Sequence, residues 1–147
     1  MKSSAQYLFK QCEISTDEAN YTLVKLPVTS FVEASRLVSI ANAPFSTLML
    51  DKHELTLLIP QQMWDNISNH LPSAEQAGAF RLITFECVLP LDVVGFMAVV
   101  SDILAQAKIP ILAFSAFSRD HIFVAVEDFQ QAWQSLKMAQ TNAKTDE

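Results

Sequence analysis

The chain has 147 residues, which is close to one domain on length alone. Half of the residues are hydrophobic and ten are Phe, so the composition predicts a packed core and excludes disorder except at the ends. The formal net charge of -6 is the wrong sign for a nucleic-acid binder, and the sequence has no polybasic segment for an anionic membrane. The only glycines, Gly78 and Gly95, are too far apart for a glycine-rich nucleotide loop.

The sequence predicts a cytoplasmic protein that does not span a membrane. No apolar segment of a secretory signal follows the first residues. The longest apolar run covers residues 93–100, whereas a membrane helix needs ~20 residues. Cys12 and Cys87 have no CxxC spacing and no secretory context, so we expect both to be reduced thiols within strands.

The first half of the chain alternates short strands with amphipathic segments. A short strand is predicted from Tyr7 to Ile14 and a second one at 21–26. An amphipathic helix with a hydroxyl cap follows, and residues 45–59 are typical of a hairpin. After a short helical stripe, residues 72–78 are predicted to be a loop and mark the best candidate boundary.

The second half repeats this order of elements. A strand is predicted at 80–89, followed by a strongly apolar helical stripe between residues 96 and 107. Two strands at 111–117 and 122–126 form a hairpin, and a last helical face covers residues 129–136.

Each half therefore predicts an α+β lobe of the ferredoxin-like, βαββαβ type, in which helices cover one face of an antiparallel sheet. The expected boundaries are 1–72 for the first lobe, 79–138 for the second and 139–147 for a disordered tail. The segment from Tyr7 to Ile14 is available to complete a sheet. We expect the two small lobes to share strands or to lie side by side.

The sequence contains no catalytic or metal-binding constellation. His53 and Glu54 look like the start of an HExxH zinc motif, but Leu57 stands where the second histidine is required. No GxSxG motif occurs, and Cys87 has no obvious activating neighbour. We therefore expect a non-enzymatic protein with no cofactor and no metal.

The junction after Pro90 is the first informative stretch. Asp92 is predicted to be the N-cap of the following helix, whose free backbone N–H groups can also bind a carboxylate. Gly95 would lie in the first turn, where glycine costs ~1 kcal/mol relative to alanine. Either a ligand approaches the backbone closely at Gly95, or the helix packs closely on the sheet there.

The hairpin from Phe114 to His121 is the second informative stretch. Asp120 either starts the turn or pairs with the cationic group of a small ligand. Phe117 is a candidate wall for an apolar slot. Arg119 is expected to be a solvated turn residue rather than a carboxylate clamp.

Both stretches resemble the ACT domain, a ligand-sensing module of amino-acid metabolism. Residues 90–95 look like its Pro-Leu-Asp-x-x-Gly junction, and residues 104–111 look like its LA-x-x-x-I-x-I step. Residues 115–124 resemble the S-T-[YF]-x-T-D-[YH]-x-L-V hairpin of the CASTOR-type branch, which includes arginine sensors and small bacterial tandem homologues. The early strands at 21–26 and 53–58 are also similar to that branch.

The resemblance implies paired ACT lobes, further assembly into dimers, and amino-acid binding at a lobe or subunit interface. The ligand contacts that it implies lie at the helix start and on the facing strand: Val94, Gly95, Phe96, Phe114, Ser115, Phe117, Ser118 and Asp120. Ala116 and Arg119 stand where the family pattern has threonines, and the acidic residue of the arginine sensors has no clear equivalent here. Both departures argue against arginine as the ligand.

We therefore expect a non-enzymatic regulatory module, a homo-oligomer, that senses an amino acid or a similar small molecule. Nucleic acid and membrane are not expected partners. Two alternatives remain open at this point. The first is an interaction or assembly module without a ligand, and the second is a detached regulatory subunit of an amino-acid biosynthetic enzyme that acts in trans.

Overall fold

The computed structural model describes residues 4–145, which form two compact units. The inserted unit is Ala19–Phe80, and the discontinuous unit combines the residues up to Glu18 with those from Arg81 onward. In chain order the elements are α1 (Ser4–Gln11), β1 (Ile14–Ser15), β2 (Tyr21–Leu26), α2 (Phe31–Ala41), β3 (Thr47–Leu50), β4 (Leu55–Pro60), α3 (Gln61–Ile67), β5 (Glu75–Phe85), α4 (Phe96–Gln106), β6 (Leu112–Ser115), β7 (Asp120–Ala125) and α5 (Phe129–Thr145).

The inserted unit has the order β2–α2–β3–β4–α3–β5, to which β5 contributes residues 75–80. Its antiparallel sheet has the strand order β3-β4-β2-β5, with Leu26 opposite Leu55 and Lys25 opposite Glu75. This is the βαββαβ order of a ferredoxin-like domain. The predicted α+β, ferredoxin-like fold class is confirmed.

The helices of the inserted unit cover its sheet because their apolar residues share one face. In α2, Ala34, Leu37 and Val38 follow the i, i+3, i+4 spacing and are buried against residues of β2 and β4. Helix α2 ends at Asn42, whose φ of 52° is a left-handed conformation that asparagine tolerates.

The predicted loop at 72–78 is wrong from Glu75 onward, because strand β5 begins there. The first residues of β5 are exposed and include Ala77 and Gly78, so the apolar alternation that signals a strand is missing. Gly78 has a φ of +127° beside an irregularity in the β2–β5 register, which is a position where glycine fits a β-bulge.

The discontinuous unit is completed by residues that precede the inserted unit in the chain. Its sheet has β5 beside β7, and β6 pairs with β7. Strand β1 pairs with the end of β5, placing Ile14 opposite Phe85. Helices α4 and α5 bury Val100 and Leu136 in the same core. Strand β1 thus takes the place of the fourth strand that the second half of the sequence lacks.

The strand predicted from Tyr7 to Ile14 is wrong over most of its length, because residues up to Gln11 form helix α1. Phe9 and Cys12 are buried in the core of the discontinuous unit, whereas Tyr7 is exposed. The spacing of three residues between the two buried side chains is helical. Only Ile14 and Ser15 form a strand, and they complete a sheet as expected.

The prediction of two reduced cysteines in strands is also wrong. Cys12 and Cys87 form a disulfide within the discontinuous unit, with a Cα–Cα distance of 5.2 Å. Cys12 follows α1 and Cys87 follows β5, so neither lies in a strand. The two residues are 75 positions apart, and the pairing of β1 with β5 helps to bring them together.

The expected disordered tail at 139–147 is instead helical as far as Thr145, and residues 146 and 147 lie outside the described part. Gln140 contributes to this order. Its side chain is buried, and its amide nitrogen donates hydrogen bonds to the carbonyl oxygens of Phe9 at 2.8 Å and Cys12 at 2.6 Å. Helix α5 is thereby attached to the end of α1.

We predict that Gln140→Leu lowers the free energy of unfolding by ~1–3 kcal/mol, since two buried carbonyl groups lose their donor. Urea unfolding measures this loss. Gln134→Leu is the matched control, because Gln134 lies exposed on the same helix. Equal stabilities of the two variants would contradict the role given to Gln140.

Candidate functional site

A cavity of about 330 Å³ opens in the discontinuous unit between two segments. One segment is the site loop, residues 86–95, together with the first turn of α4. The other segment is the hairpin of β6 and β7. The lining residues are Leu89, Pro90, Leu91, Val93, Gly95, Phe96, Met97, Ala98, Ser115, Ala116, Phe117, Ser118, Arg119 and Asp120.

The structure brings both informative stretches of the sequence to this cavity. The predicted contacts that line it are Gly95, Phe96, Ser115, Phe117, Ser118 and Asp120. Val94 and Phe114 are not among the lining residues. Val94 is 83% exposed, and the ring of Phe114 meets that of Phe123 edge to face, with 5.9 Å between centroids.

The N-terminus of α4 forms one wall of the cavity. Gly95 is the N-cap residue, and no side chain caps the helix. The first backbone N–H groups of a helix have no partner within the helix, and they carry a partial positive charge. Phe96, Met97 and Ala98 present this first turn to the cavity. The wall is therefore suited to an anion such as a carboxylate.

Asp92 is not the N-cap, so that prediction is wrong. It lies exposed in a turn in which the N–H of Val93 donates to the carbonyl of Pro90 at 3.1 Å. Gly95 has a φ of +91°, and a Cβ added there would meet only the Cβ of Ala5, at 3.8 Å. The positive φ accounts for the glycine, whereas close packing of the helix on the sheet does not.

The hairpin supplies the charged wall. The N–H of Ala116 donates to the carbonyl of Arg119 at 2.9 Å and closes the turn, while Asp120 is the first residue of β7 and is half-buried. Nε of Arg119 lies 3.5 Å from Oε1 of Glu86, but both side chains are about 40% exposed. An ion pair this open to solvent contributes ~0–1 kcal/mol. Arg119 is thus largely solvated, as expected.

A backbone hydrogen bond joins the two walls. The N–H of Leu89 donates to the carbonyl of Ser118 at 2.8 Å, which links the middle of the site loop to the hairpin turn. The opening of the cavity is therefore tied to the position of the site loop.

Sequence reasoning missed the contact between Thr84 and His121, on neighbouring strands β5 and β7. Oγ1 of Thr84 lies 2.9 Å from Nδ1 of His121, and Thr84 is buried. Burial lowers the pKa of His121, although the carboxylates of Asp120 and Glu86 oppose that shift. The alternation of side chains along β7 could have indicated this burial, because it places His121 on the same face of the sheet as Phe123.

Residues 78–137 match the model of the ACT domain family. This segment is similar to an ACT domain. It contains α4, the β6–β7 hairpin and every residue of the candidate cavity. The comparison with curated protein sequences finds no match.

Solved structures share the fold over most of the chain. A protein of unknown function from Vibrio cholerae, described as a possible transport protein, is 22% identical with a TM-score of 0.72, over 93% of this chain and 96% of that chain. A protein from Agrobacterium tumefaciens is 17% identical with a TM-score of 0.72, over 88% and 89%. The regulatory subunit of aspartate kinase from Thermus flavus is 9% identical with a TM-score of 0.63, over 86% and 95%.

Residues 4–145 contain neither a metal-binding cluster nor a helix that could span a membrane. No group of three or more His, Cys, Asp or Glu side chains in this range could hold a metal ion. None of the helices in the same range is long and apolar enough to cross a membrane.

The burial of His121 predicts that the free energy of unfolding decreases as the pH is lowered. Burial holds the pKa of His121 in the folded protein below its ordinary value of 6.5, so between the two values the unfolded chain binds more protons. The stability that the neutral ring contributes is complete above pH 6.5 and is lost as the pH falls from 6.5 through the folded pKa.

His121→Gln should flatten this acid-side slope of the free energy of unfolding, because glutamine does not titrate. Urea titrations at a series of pH values measure the slope. His53→Gln, in the exposed turn between β3 and β4, is the control substitution of the same kind. A His121→Gln slope identical to wild type would refute the assignment.

Proposed function

We propose that this protein is a non-enzymatic regulatory module that binds an amino acid in the cavity between the site loop and the β6–β7 hairpin. The observation that carries the proposal is the placement of an uncapped helix N-terminus and the Asp120 carboxylate on the walls of one cavity. An amino acid is a zwitterion, so it needs both an anion site and a carboxylate partner. The match to the ACT domain family supports a regulatory, ligand-sensing role.

The proposed pose follows from the charges of the two walls. The ligand carboxylate accepts hydrogen bonds from backbone N–H groups at Phe96 and Met97, where the helix dipole is favourable. The ligand ammonium group meets Asp120, and charge-assisted hydrogen bonds of this kind are stronger than neutral ones. The hydroxyls of Ser115 and Ser118 are additional polar partners from the hairpin.

The other lining residues favour an amino acid with an uncharged side chain. Leu89, Val93 and Phe117 supply apolar surface. Of the described residues that line the cavity, Asp120 is the only acidic one, and in this pose it pairs with the ammonium group. A second cation, such as the side chain of arginine, would have no carboxylate. The proposed assignment to the CASTOR-type branch therefore does not extend to arginine as the ligand.

We also propose that a second copy of the chain covers the cavity, so that the ligand lies at a subunit interface. Large apolar side chains surround the opening and are highly exposed: Val88 at 63%, Leu91 at 79%, Val94 at 83% and Phe117 at 82%. A patch of this kind is typical of an interaction surface. Burying it in a homo-oligomer would also remove the ligand from water.

A second candidate function is a detached regulatory subunit of an amino-acid biosynthetic enzyme. It is favoured by the likeness in fold to the aspartate kinase regulatory subunit from Thermus flavus, which covers 86% of this chain. The exposed apolar rim would then bind the enzyme. A ligand-free assembly module would use the same rim but would bind no amino acid.

We place the proposed function in the cytoplasm, since the proposed ligand is a metabolite. In that compartment, the Cys12–Cys87 disulfide would have to be a reducible bond rather than a permanent one. Disulfides persist in oxidising compartments, whereas those in the cytosol of mesophiles are usually transient or redox-sensing.

Thermal unfolding in the presence of each common amino acid tests the proposal. A ligand at 100 times its dissociation constant stabilises the folded protein by ~2.7 kcal/mol. For the amino acid that raises the melting temperature most, Asp120→Asn should weaken binding ~10- to 150-fold, since a hydrogen bond to a charged group is worth ~1.5–3 kcal/mol.

Isothermal titration calorimetry measures the dissociation constants of wild type and Asp120→Asn. Asp92→Asn is the matched control. Asp92 is an exposed carboxylate of the same site loop that does not line the cavity, so its variant should bind like wild type. Equal dissociation constants for wild type and Asp120→Asn would remove Asp120 from the site. Absence of any thermal shift would favour the ligand-free assembly module.

The proposed interface has its own test. Light scattering of the wild-type protein should give at least twice the chain mass of 16.4 kDa at micromolar concentration. Val88→Ser combined with Val94→Ser should shift the mass toward the monomer, because both side chains belong to the apolar rim but not to the cavity lining. Met138→Ser, at a residue 63% exposed on α5, is the control. A monomeric wild-type protein would reject the interface.

A further inference from the structure

The Cys12–Cys87 disulfide is attached directly to the candidate site. Cys87 is the second residue of the site loop, and Leu89, two residues further on, lines the cavity. The partner, Cys12, lies at the end of α1, where Gln140 holds its carbonyl oxygen. The covalent bond therefore anchors the start of the site loop to a helix that is itself held by α5.

Apart from this bond, the site loop is attached by backbone hydrogen bonds, by the solvent-exposed Glu86–Arg119 ion pair and by the partly buried side chains of Leu89 and Val93. The N–H of Glu86 donates to the carbonyl of Glu13 at 2.7 Å, and the N–H of Leu89 donates to Ser118 at 2.8 Å. The side chains of Val88, Leu91 and Val94 are all more than 60% exposed. A segment with three apolar side chains this exposed has a lower local stability than the core once a restraint is removed.

The core of the discontinuous unit is held by apolar contacts in addition to the covalent bond. Ile14, Phe85 and Phe96 are buried in one cluster with residues of α4 and α5. The rings of Phe85 and Phe96 are in edge contact, with 5.5 Å between centroids. Reduction is therefore expected to act on the site loop and to leave the core folded.

The two cysteine residues differ in exposure to solvent. Cys12 is 2% exposed, whereas Cys87 is only partly buried between the exposed residues Glu86 and Val88. Cys87 is therefore the residue at which we expect a thiol from solution to attack the disulfide. Access of this kind is a property of regulatory disulfides rather than of purely structural ones.

We propose that the Cys12–Cys87 disulfide is a redox-sensitive tether of the site loop, which is ordered in the oxidised protein and loosened when a dithiol reduces the bond. A consequence, which rests on the proposed function, is that the reduced protein binds its amino acid more weakly. The oxidised protein is the binding state because only then are both ends of the site loop held beside the cavity.

The reduction is an ordinary thiol–disulfide exchange with a dithiol as the electron donor. A thiolate of the dithiol attacks Sγ of Cys87 and forms a mixed disulfide, and the Cys12 thiolate leaves and takes up a proton. The second thiol of the dithiol then displaces Cys87. The protein gains two electrons and two protons in total, and the donor leaves as a cyclic disulfide.

The first experiment uses the ligand-free protein and dithiothreitol, so it does not depend on the proposed function. Without denaturant, dithiothreitol should release two thiols while circular dichroism stays native. Hydrogen exchange of the Glu86 and Leu89 amides should then become about tenfold faster or more. The amides of β2 and β4 in the inserted unit are the internal control and should not change.

Two results of this experiment would overturn the tether. One is a disulfide that resists dithiothreitol until urea unfolds the chain. The other is faster exchange in the inserted unit as well, because reduction would then destabilise the whole chain. The double variant Cys12→Ser/Cys87→Ser should show the exchange of the reduced protein with or without dithiothreitol, and wild-type exchange in this variant would also refute the proposal.

The second experiment repeats the thermal screen of the common amino acids on the oxidised protein and on Cys12→Ser/Cys87→Ser. An amino acid that stabilises the oxidised protein should stabilise the variant less, with a dissociation constant about tenfold higher or more. Equal constants would overturn the effect on binding. If no amino acid stabilises the oxidised protein, the proposed function fails, and the exchange experiment alone still decides on the tether.

Discussion

The discontinuous unit depends on the attachment of residues 4–15 to elements that follow Phe80. Three kinds of bond make this attachment: the pairing of Ile14 with Phe85, the disulfide between Cys12 and Cys87, and the hydrogen bonds from Gln140 to the end of α1. Hydrophobic burial of Phe9 adds to them. The same attachment also fixes the site loop, since its first residues, Glu86 and Cys87, are the ones held.

Much of the fold could be predicted from the sequence because most elements carry a clear period. The apolar faces of α2 and α4 and the turn at Asp51 were sufficient to predict two ferredoxin-like patterns. Oδ1 of Asp51 accepts hydrogen bonds from the N–H groups of His53 at 2.7 Å and Glu54 at 2.9 Å, and these bonds lower the pKa of Asp51. The start of β5 and helix α1 were missed, because an exposed strand lacks alternation and a short helix resembles a strand.

The candidate site was predicted in outline because its two stretches are continuous in sequence and each carries polar residues next to apolar ones. Prediction failed where the decisive fact was a backbone angle or a distant partner. The left-handed conformation of Gly95 makes this residue, and not Asp92, the N-cap of α4. No local sequence pattern indicates that Cys12 contacts Cys87 or that Thr84 contacts His121. These pairs exist only because strands far apart in sequence become neighbours in the sheet.

The insertion of Ala19–Phe80 into the discontinuous unit sets an order of events during translation. The inserted unit is complete in sequence when Phe80 has left the ribosome. Helix α1, by contrast, must wait for Gln140 of α5. At ~5–20 residues per second, the ribosome needs about 6–25 seconds to proceed from the end of α1 to Gln140. Once they have left the ribosome, Phe9 and the thiol of Cys12 remain uncovered by α5 until then, so the nascent chain can meet cellular oxidants before its own core closes.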